Sequence, residues 1–162
     1  MSNASSTRLG LLIDVTVESF TARMSPEAED AANKALEGSH ASIGQVGSYL
    51  SVKQFDLSIL VMVERSYRVA DKQGQAAHML RLTPVGEFAA NGKFNRGVTH
   101  FPTSGAELHT VSTSDLEKIF SEHSKIGYHV GRLTSEESID VFLQASAFFG
   151  RHAAILGQSG AG

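Results

Sequence analysis

The last residues of the chain match the first part of a phosphate-binding loop. They read Gly157-Gln158-Ser159-Gly160-Ala161-Gly162, and Gly157 and Gly162 fill the two glycine positions of the pattern G-x-x-x-x-G-K-[ST]. In such a loop the glycines let backbone N–H groups approach phosphate oxygens closely, because no Cβ is in the way. The lysine contacts the β- and γ-phosphates, and the hydroxyl residue binds Mg²⁺. We therefore predict that residues 157–162 form part of a nucleotide-binding loop.

The residues before this loop support that prediction. Ala153-Ala154-Ile155-Leu156 is a short apolar run that predicts a buried strand. A phosphate-binding loop lies between such a strand and the N-terminus of a helix. The lysine and the hydroxyl residue would follow Gly162, so we expect the chain to be the front part of a larger protein and to bind ATP weakly or not at all by itself. The alternative is a flexible glycine-rich tail with no role in nucleotide binding.

Three further side chains are candidates for a place at a nucleotide or at a subunit interface. Arg151 and His152 directly precede the apolar run, and Arg96 is a candidate partner for an acidic residue of a neighbouring subunit. The simpler interpretation of each is a solvated or locally paired side chain. The seven histidines show no metal-binding spacing, so we predict no metal site. No nucleophile motif or carboxylate pair predicts a catalytic residue in this chain.

Composition limits the class of protein. The chain has 162 residues, of which 41% are hydrophobic and 19% charged, and this is typical of a folded domain. A net charge of −3 excludes a protein whose whole surface attracts nucleic acid. The chain contains no cysteine, which excludes disulfides and thiolate metal sites. Without a long apolar run or a secretion signal at the N-terminus, the sequence predicts a cytoplasmic protein that does not bind membranes.

Short stretches with strand-like alternation dominate the chain. They lie at residues 9–21, 43–69, 78–90, 93–98, 107–111, 126–133 and 139–143. Ser25-Pro26 predicts a helix over about 25–37, and Ser114-x-x-Glu117 predicts a second short helix. Asn91-Gly92 predicts a tight turn. We predict a mainly β fold with a small closed β-barrel and one or two short helices, because a barrel removes exposed strand edges.

The predicted order of domains follows from these elements. Residues 1–8 are a disordered lead-in, and residues 9–146 are the N-terminal β-barrel domain with the helix at about 25–37 as an insertion. Residues 147–162 begin a P-loop ATPase domain, with the first strand of a truncated RecA-like fold.

The linear order of these pieces resembles the HerA family of hexameric ATPases. The segment Phe94–Pro102 resembles a stretch near the end of that family's N-terminal barrel, where Arg-Gly-Val is followed by an aromatic residue and proline. Val130–Leu133 through Val141–Leu143 resembles the next stretch. The closest match is Gly150–Gly162, where family members carry an Arg-His pair before the apolar strand and the loop. The resemblance is good from Phe94 onward, looser over residues 43–69 and poor before that.

The resemblance implies a fold and a function that composition does not. It implies a HerA–ATP synthase barrel followed by a truncated Walker A loop, in a homohexameric ring that uses ATP and Mg²⁺ to move on DNA through a motor domain. The barrel would help assembly and dock an effector, such as a nuclease or a sirtuin-type NADase in an anti-phage defence complex. The parent protein would then be an ATPase and helicase, and this chain alone would be inactive.

Two other interpretations stay open at this point. The chain could be a stand-alone β-barrel interaction module with a flexible glycine-rich tail and no ATPase activity. It could also come from a rotary-type ATPase subunit, although the Arg151-His152 pair disfavours that origin.

Overall fold

The computed structural model describes residues 6–38, 43–70, 74, 76–89, 91–121, 124–150 and 152. The elements in chain order are β1 (Arg8–Val15), β2 (Phe20–Met24), α1 (Pro26–Gly38), β3 (Tyr49–Gln54), β4 (Leu57–Ala70), β5 (Ala76–Phe88), β6 (Phe94–Arg96), β7 (Glu107–Thr110), α2 (Thr113–Phe120), β8 (Tyr128–Leu133), β9 (Glu136–Leu143) and α3 (Ala145–Phe149). Contacts divide the chain into two compact units, Met1–Ser112 and Thr113–Gly162.

The first unit contains a closed barrel of six antiparallel strands. Around the ring the strands follow the order β1, β2, β5, β4, β3, β7, and β7 pairs with β1 again. The long strand β5 closes the ring, because it pairs with β4 along one edge and its residues from Met79 to Leu82 pair with β2 along the other. The predicted mainly β fold with a small closed barrel is therefore confirmed.

The barrel interior is filled by apolar side chains that alternate along the strands. On β4, Ile59, Val61 and Val63 are fully buried. Leu60 between them is also fully buried, so the continuous apolar run of this strand is covered on both faces at that point, as predicted. The other fully buried large side chains of the barrel are Leu12, Phe20, Leu50, Val52, Leu80, Leu82 and Leu108. Each such side chain contributes roughly 1.5–3 kcal/mol to the free energy of unfolding.

The helix α1 begins as the sequence predicts. The Ala28 N–H donates to Ser25 Oγ at 3.2 Å, so Ser25 caps the helix and Pro26 occupies its first position. Ala28 and Ala32 are buried. Arg68 on β4 forms an ion pair with Glu29 on α1. The small alanine face thus lets the helix lie close to the sheet.

The single strand predicted at residues 9–21 is wrong, because two strands and a turn occupy this stretch. The Thr16 N–H donates to the Ser19 carbonyl at 3.0 Å, and the Thr16 hydroxyl donates to the same oxygen at 2.9 Å. Threonine and serine hydroxyls stabilise turns in this way without glycine or proline. The alternating pattern continues through the turn, so periodicity alone does not reveal it.

Two more predicted strands differ from the structure near their ends. The stretch from Ile43 turns at Gly44 and Gly47, which have φ of 74° and 88°, and β3 begins only at Tyr49. Phe55, which falls inside the stretch 43–69 with strand-like alternation, lies in the turn between β3 and β4 with φ of 52° and is almost fully exposed. Residues with positive φ end a strand locally, which alternation of side chains does not predict.

The strand β5 continues through Pro84, with a bulge beside it. Leu60 pairs with Gly86 and Val61 pairs with Pro84, so Val85 is the extra residue of a bulge. A proline is tolerated at a bulge because the ladder already lacks a hydrogen bond there. The predicted turn at Asn91-Gly92 is confirmed: Gly92 has φ of 78° and its N–H donates to the Ala89 carbonyl at 2.8 Å.

The second unit is built from α2, the β8–β9 hairpin and α3. Leu116 of α2 and Ile139 of β9 are buried. Helix α2 spans Thr113–Phe120, in agreement with the short helix that the Ser114-x-x-Glu117 pattern predicts. Residues Ala145–Phe149 form the short helix α3, which the sequence analysis does not predict. The predicted domain boundary at residue 146 stays a prediction.

Candidate functional site

The predicted nucleotide loop lies outside the described residues. This holds for Gly157, Gln158, Ser159, Gly160, Ala161 and Gly162, for the apolar run before them, and for Arg151. The structure describes the approach to this loop. The Gly150 N–H donates to the Ser146 carbonyl at 3.0 Å and ends α3, and His152 is exposed. The nucleotide role of residues 157–162 therefore stays a prediction.

The hairpin β8–β9 precedes the predicted loop and brings together two segments that the sequence analysis singled out. Gly131 pairs with Val141, and Arg132 pairs with Asp140. Asp140 Oδ1 lies 3.2 Å from His129 Nε2 and 3.5 Å from Arg132 Nε. These contacts join exposed side chains and contribute about 0–1 kcal/mol each, so they add little to the stability of the hairpin.

Aromatic side chains connect the hairpin to the short helix. The rings of Tyr128 on β8 and Phe149 on α3 lie 5.2 Å apart in an edge-to-face arrangement. Both side chains are more than half exposed, as is Val130. A two-stranded hairpin is at most marginally stable by itself. The hairpin and α3 therefore leave apolar surface uncovered among the described residues of this unit.

In the barrel, the segment Phe94–Pro102 is held by a carboxylate that sequence analysis missed. Glu87 Oε2 accepts hydrogen bonds from the Thr99 N–H at 3.1 Å and the His100 N–H at 3.3 Å. The Thr99 N–H is the main cause of a lowered pKa of Glu87, with the His100 N–H and imidazole as smaller causes. Glu87 lies four residues before the Asn91-Gly92 turn, and this turn brings the following segment back alongside Glu87. The spacing between Glu87 and the turn is the sequence signal that could have identified this carboxylate.

Arg96 lies at the end of β6 and is exposed. Among the described residues, no carboxylate lies within 4 Å of its guanidinium group. Burial raises the pKa of Tyr49, and the positive charge of Arg96 partly opposes that shift. The structure thus places Arg96 on the barrel surface, and its pairing with a neighbouring subunit stays a prediction.

The aromatic-proline pair of this segment packs onto the barrel. The ring of Phe101 lies 6.3 Å from the ring of the fully buried Phe20, edge to face, and Pro102 is buried. Gly97, with φ of 83°, donates its N–H to the Val85 carbonyl at 3.1 Å. The segment therefore covers part of the barrel core before the chain enters β7.

Two absences concern only the part of the chain that the structure describes. There, no group of three or more His, Asp or Glu side chains is placed to hold a metal ion. None of the helices described is long and apolar enough to cross a membrane.

A comparison with protein-family models gives a match over the C-terminal part of the chain. The model described as "Helicase HerA, central domain" matches residues 128–162, which include β8, β9, α3 and the predicted nucleotide loop. No curated protein matches the chain. The match supports a relation to the HerA group of P-loop ATPases over this stretch. Together, the match and the closed six-stranded barrel fit a fragment of a HerA-like protein.

Proposed function

We propose that this chain is the N-terminal barrel, with the beginning of the motor domain, of a HerA-like ATP-dependent DNA translocase or helicase. The observation that carries the proposal is the order of two parts in one chain. A closed barrel of six strands comes first, and a stretch similar to the HerA central domain follows it at residues 128–162.

The glycines of the predicted loop would hold ATP through the backbone. Gly157, Gly160 and Gly162 allow the N–H groups of this loop to face the phosphates, and Mg²⁺ would neutralise charge that develops on the γ-phosphate during transfer. The lysine and hydroxyl residue of the pattern would follow Gly162. Chemistry in such motors is mainly positioning and charge stabilisation, so that lysine should contribute strongly to ATP binding and hydrolysis.

The barrel would serve assembly and docking. Leu11 and Ile13 of β1 point away from the core and are 36% and 48% exposed, and Val17 in the following turn is 76% exposed. Exposed apolar side chains that lie together favour a protein interface. We propose a hexameric ring in the cytoplasm, whose barrels dock an effector such as a nuclease or a sirtuin-type NADase in an anti-phage defence complex.

The first test is the coding sequence after Gly162. We expect Lys-Ser or Lys-Thr followed by an amphipathic helix. A stop codon at that point would contradict the motor and favour a stand-alone interaction module.

The second test measures DNA-stimulated ATP hydrolysis by the protein encoded by the whole reading frame. Replacing the lysine after Gly162 by alanine should lower the rate at least about 100-fold, because charge stabilisation at the phosphates is the main catalytic contribution. Lys93→Ala, on the exposed connection between β5 and β6, removes the same charge and should leave the rate unchanged. Equal rates in both variants would exclude the proposed ATPase.

A further inference from the structure

The outer face of the barrel carries a cleft of about 540 Å³ beside the turn between β1 and β2. Three of its lining residues lie in one row across three strands. Thr21 on β2 is the register partner of Arg81 on β5, and Arg81 is the register partner of Arg65 on β4. The row therefore places two guanidinium groups side by side in one cleft.

Like charges directly opposite each other destabilise a sheet, and a carboxylate close to Arg81 offsets one of these two charges. Arg81 Nε lies 3.6 Å from Glu64 Oε2, and that oxygen also accepts a hydrogen bond from Thr83 Oγ1 at 3.3 Å. Among the described residues, no carboxylate lies within 4 Å of Arg65. Its guanidinium carbon instead lies 5.1 Å from the centre of the Tyr67 ring. Each guanidinium group thus keeps N–H donors that are available to a ligand.

The other side of the cleft has the opposite charge. Asp14 is the register partner of Thr21, and Glu18 lies in the turn between β1 and β2. Neither carboxylate reaches within 4 Å of Arg65 or Arg81 among the described contacts. The cleft therefore presents cations at one side and hydrogen-bond acceptors at the other. Such a site disfavours a long polyanion and suits a compact ligand with one anionic end.

We propose that this cleft binds a small phosphate monoester that carries hydroxyl groups, of the sugar-phosphate or mononucleotide class. The planar guanidinium group matches the geometry of phosphate oxygens, so Arg65 and Arg81 can each donate hydrogen bonds to the phosphate end of the ligand. Asp14 and Glu18 accept hydrogen bonds from the ligand's hydroxyl groups. The volume lies in the range of small-molecule sites. This site is distinct in sequence from the predicted loop at residues 157–162, and it does not depend on the proposed motor.

The test is a titration of the isotope-labelled chain, followed by backbone NMR at constant ionic strength. The probes are ribose 5-phosphate, adenosine 5′-monophosphate, inorganic phosphate, ribose and acetate. We expect saturable shifts at Thr21, Arg65 and Arg81 with both phosphate esters, at least threefold weaker binding of inorganic phosphate, and no binding of ribose or acetate. Comparing the two esters distinguishes a sugar phosphate from a nucleotide.

Matched variants assign the contacts. Arg65→Gln and Arg81→Gln should each weaken ribose 5-phosphate binding at least tenfold. Arg23→Gln removes the same charge from an exposed position on β2 outside the cleft and should not change the affinity. Asp14→Asn should reduce the preference for ribose 5-phosphate over inorganic phosphate. Thermal unfolding of each variant without ligand checks folding, and we expect only small changes, because the contacts of Arg81 with Glu64 and of Arg65 with Tyr67 are exposed.

Four outcomes would overturn the proposal. These are shifts that grow linearly without saturating, shifts confined to residues 157–162, unchanged affinity in both Arg65→Gln and Arg81→Gln, and equal or tighter binding of acetate.

Discussion

At the residue scale, Gly86 shows how closely two strands of the barrel approach. A Cβ at this position would lie 2.3 Å from the Asn95 carbonyl oxygen and 2.5 Å from the Phe94 ring. Both contacts are far below van der Waals distance, and one is to backbone, so β6 would have to move away.

We therefore expect Gly86→Ala to lower the free energy of unfolding by about 2 kcal/mol, within the usual cost of overpacking. Urea denaturation measures it. Gly105→Ala is the control, because Gly105 has φ of 93° but nothing within 4 Å of a Cβ. It should cost roughly 1 kcal/mol from backbone conformation alone. A smaller loss of stability from Gly86→Ala than from Gly105→Ala would show that β6 can move away from β5 at little cost in free energy.

Glu87 gives the barrel a pH-dependent contact. Because the folded pKa of Glu87 is lowered, its contribution to stability is present above its unfolded pKa and is lost as the pH falls through the folded value. Wild type should thus be more stable than Glu87→Gln at pH 7, and the difference should shrink below about pH 4.

Hydrogen exchange at neutral pH locates the same effect. The Thr99 and His100 amides should exchange faster in Glu87→Gln, whereas the Gly97 amide, bonded to Val85, should keep its rate. A uniform change at all three amides would mean that the substitution loosens the strand and not the loop contact.

At the scale of elements, α1 depends on its first hydrogen bond. Ser25→Ala removes the acceptor for the Ala28 N–H and should lower the free energy of unfolding by about 1 kcal/mol. Ser25→Asp keeps an acceptor and should restore most of that loss. Denaturant titration of the two variants measures both effects. Equal destabilisation by both would show that the capping hydrogen bond does not stabilise α1.

An element can be predicted from the sequence when the residues that cause it are its own neighbours along the chain. The start of α1 and the turn at Asn91-Gly92 were predicted because serine, proline and glycine act on their own neighbours. The turn at Thr16–Ser19 was missed because hydroxyl groups form it inside an alternating pattern. The bulge of β5 at Pro84 has no local signature, because it depends on the register with β4, where the paired residue Val61 lies more than twenty residues earlier.

The two candidate sites also differ in whether a local sequence pattern marks them. A glycine spacing marks residues 157–162 in sequence, although they lie outside the described structure. The arginine row of the outer cleft was not predicted, because Arg65, Arg81 and Thr21 come together only through strand register. Because these residues are far apart in the sequence, no local sequence pattern can identify such a site.

At the scale of the whole molecule, the two units differ in how much core each contains. The closed barrel lies within residues 1–112, whereas the buried large apolar side chains of the second unit among the described residues are Leu116 and Ile139. A chain that ends at Ser112 should therefore unfold cooperatively in urea and keep dispersed NMR signals. Residues 113–162 alone should not. A gradual transition for the shorter chain would show that the barrel needs the rest of the protein.

The position of β7 in the ring has a consequence for synthesis. This strand lies between β1 and β3, yet it is the last of the six to leave the ribosome. Until Thr110 emerges, β1 and β3 each expose a row of unpaired backbone groups that another nascent chain can pair with. About a hundred residues are thus translated before the barrel can close. We expect the nascent protein to depend most on chaperones during this interval.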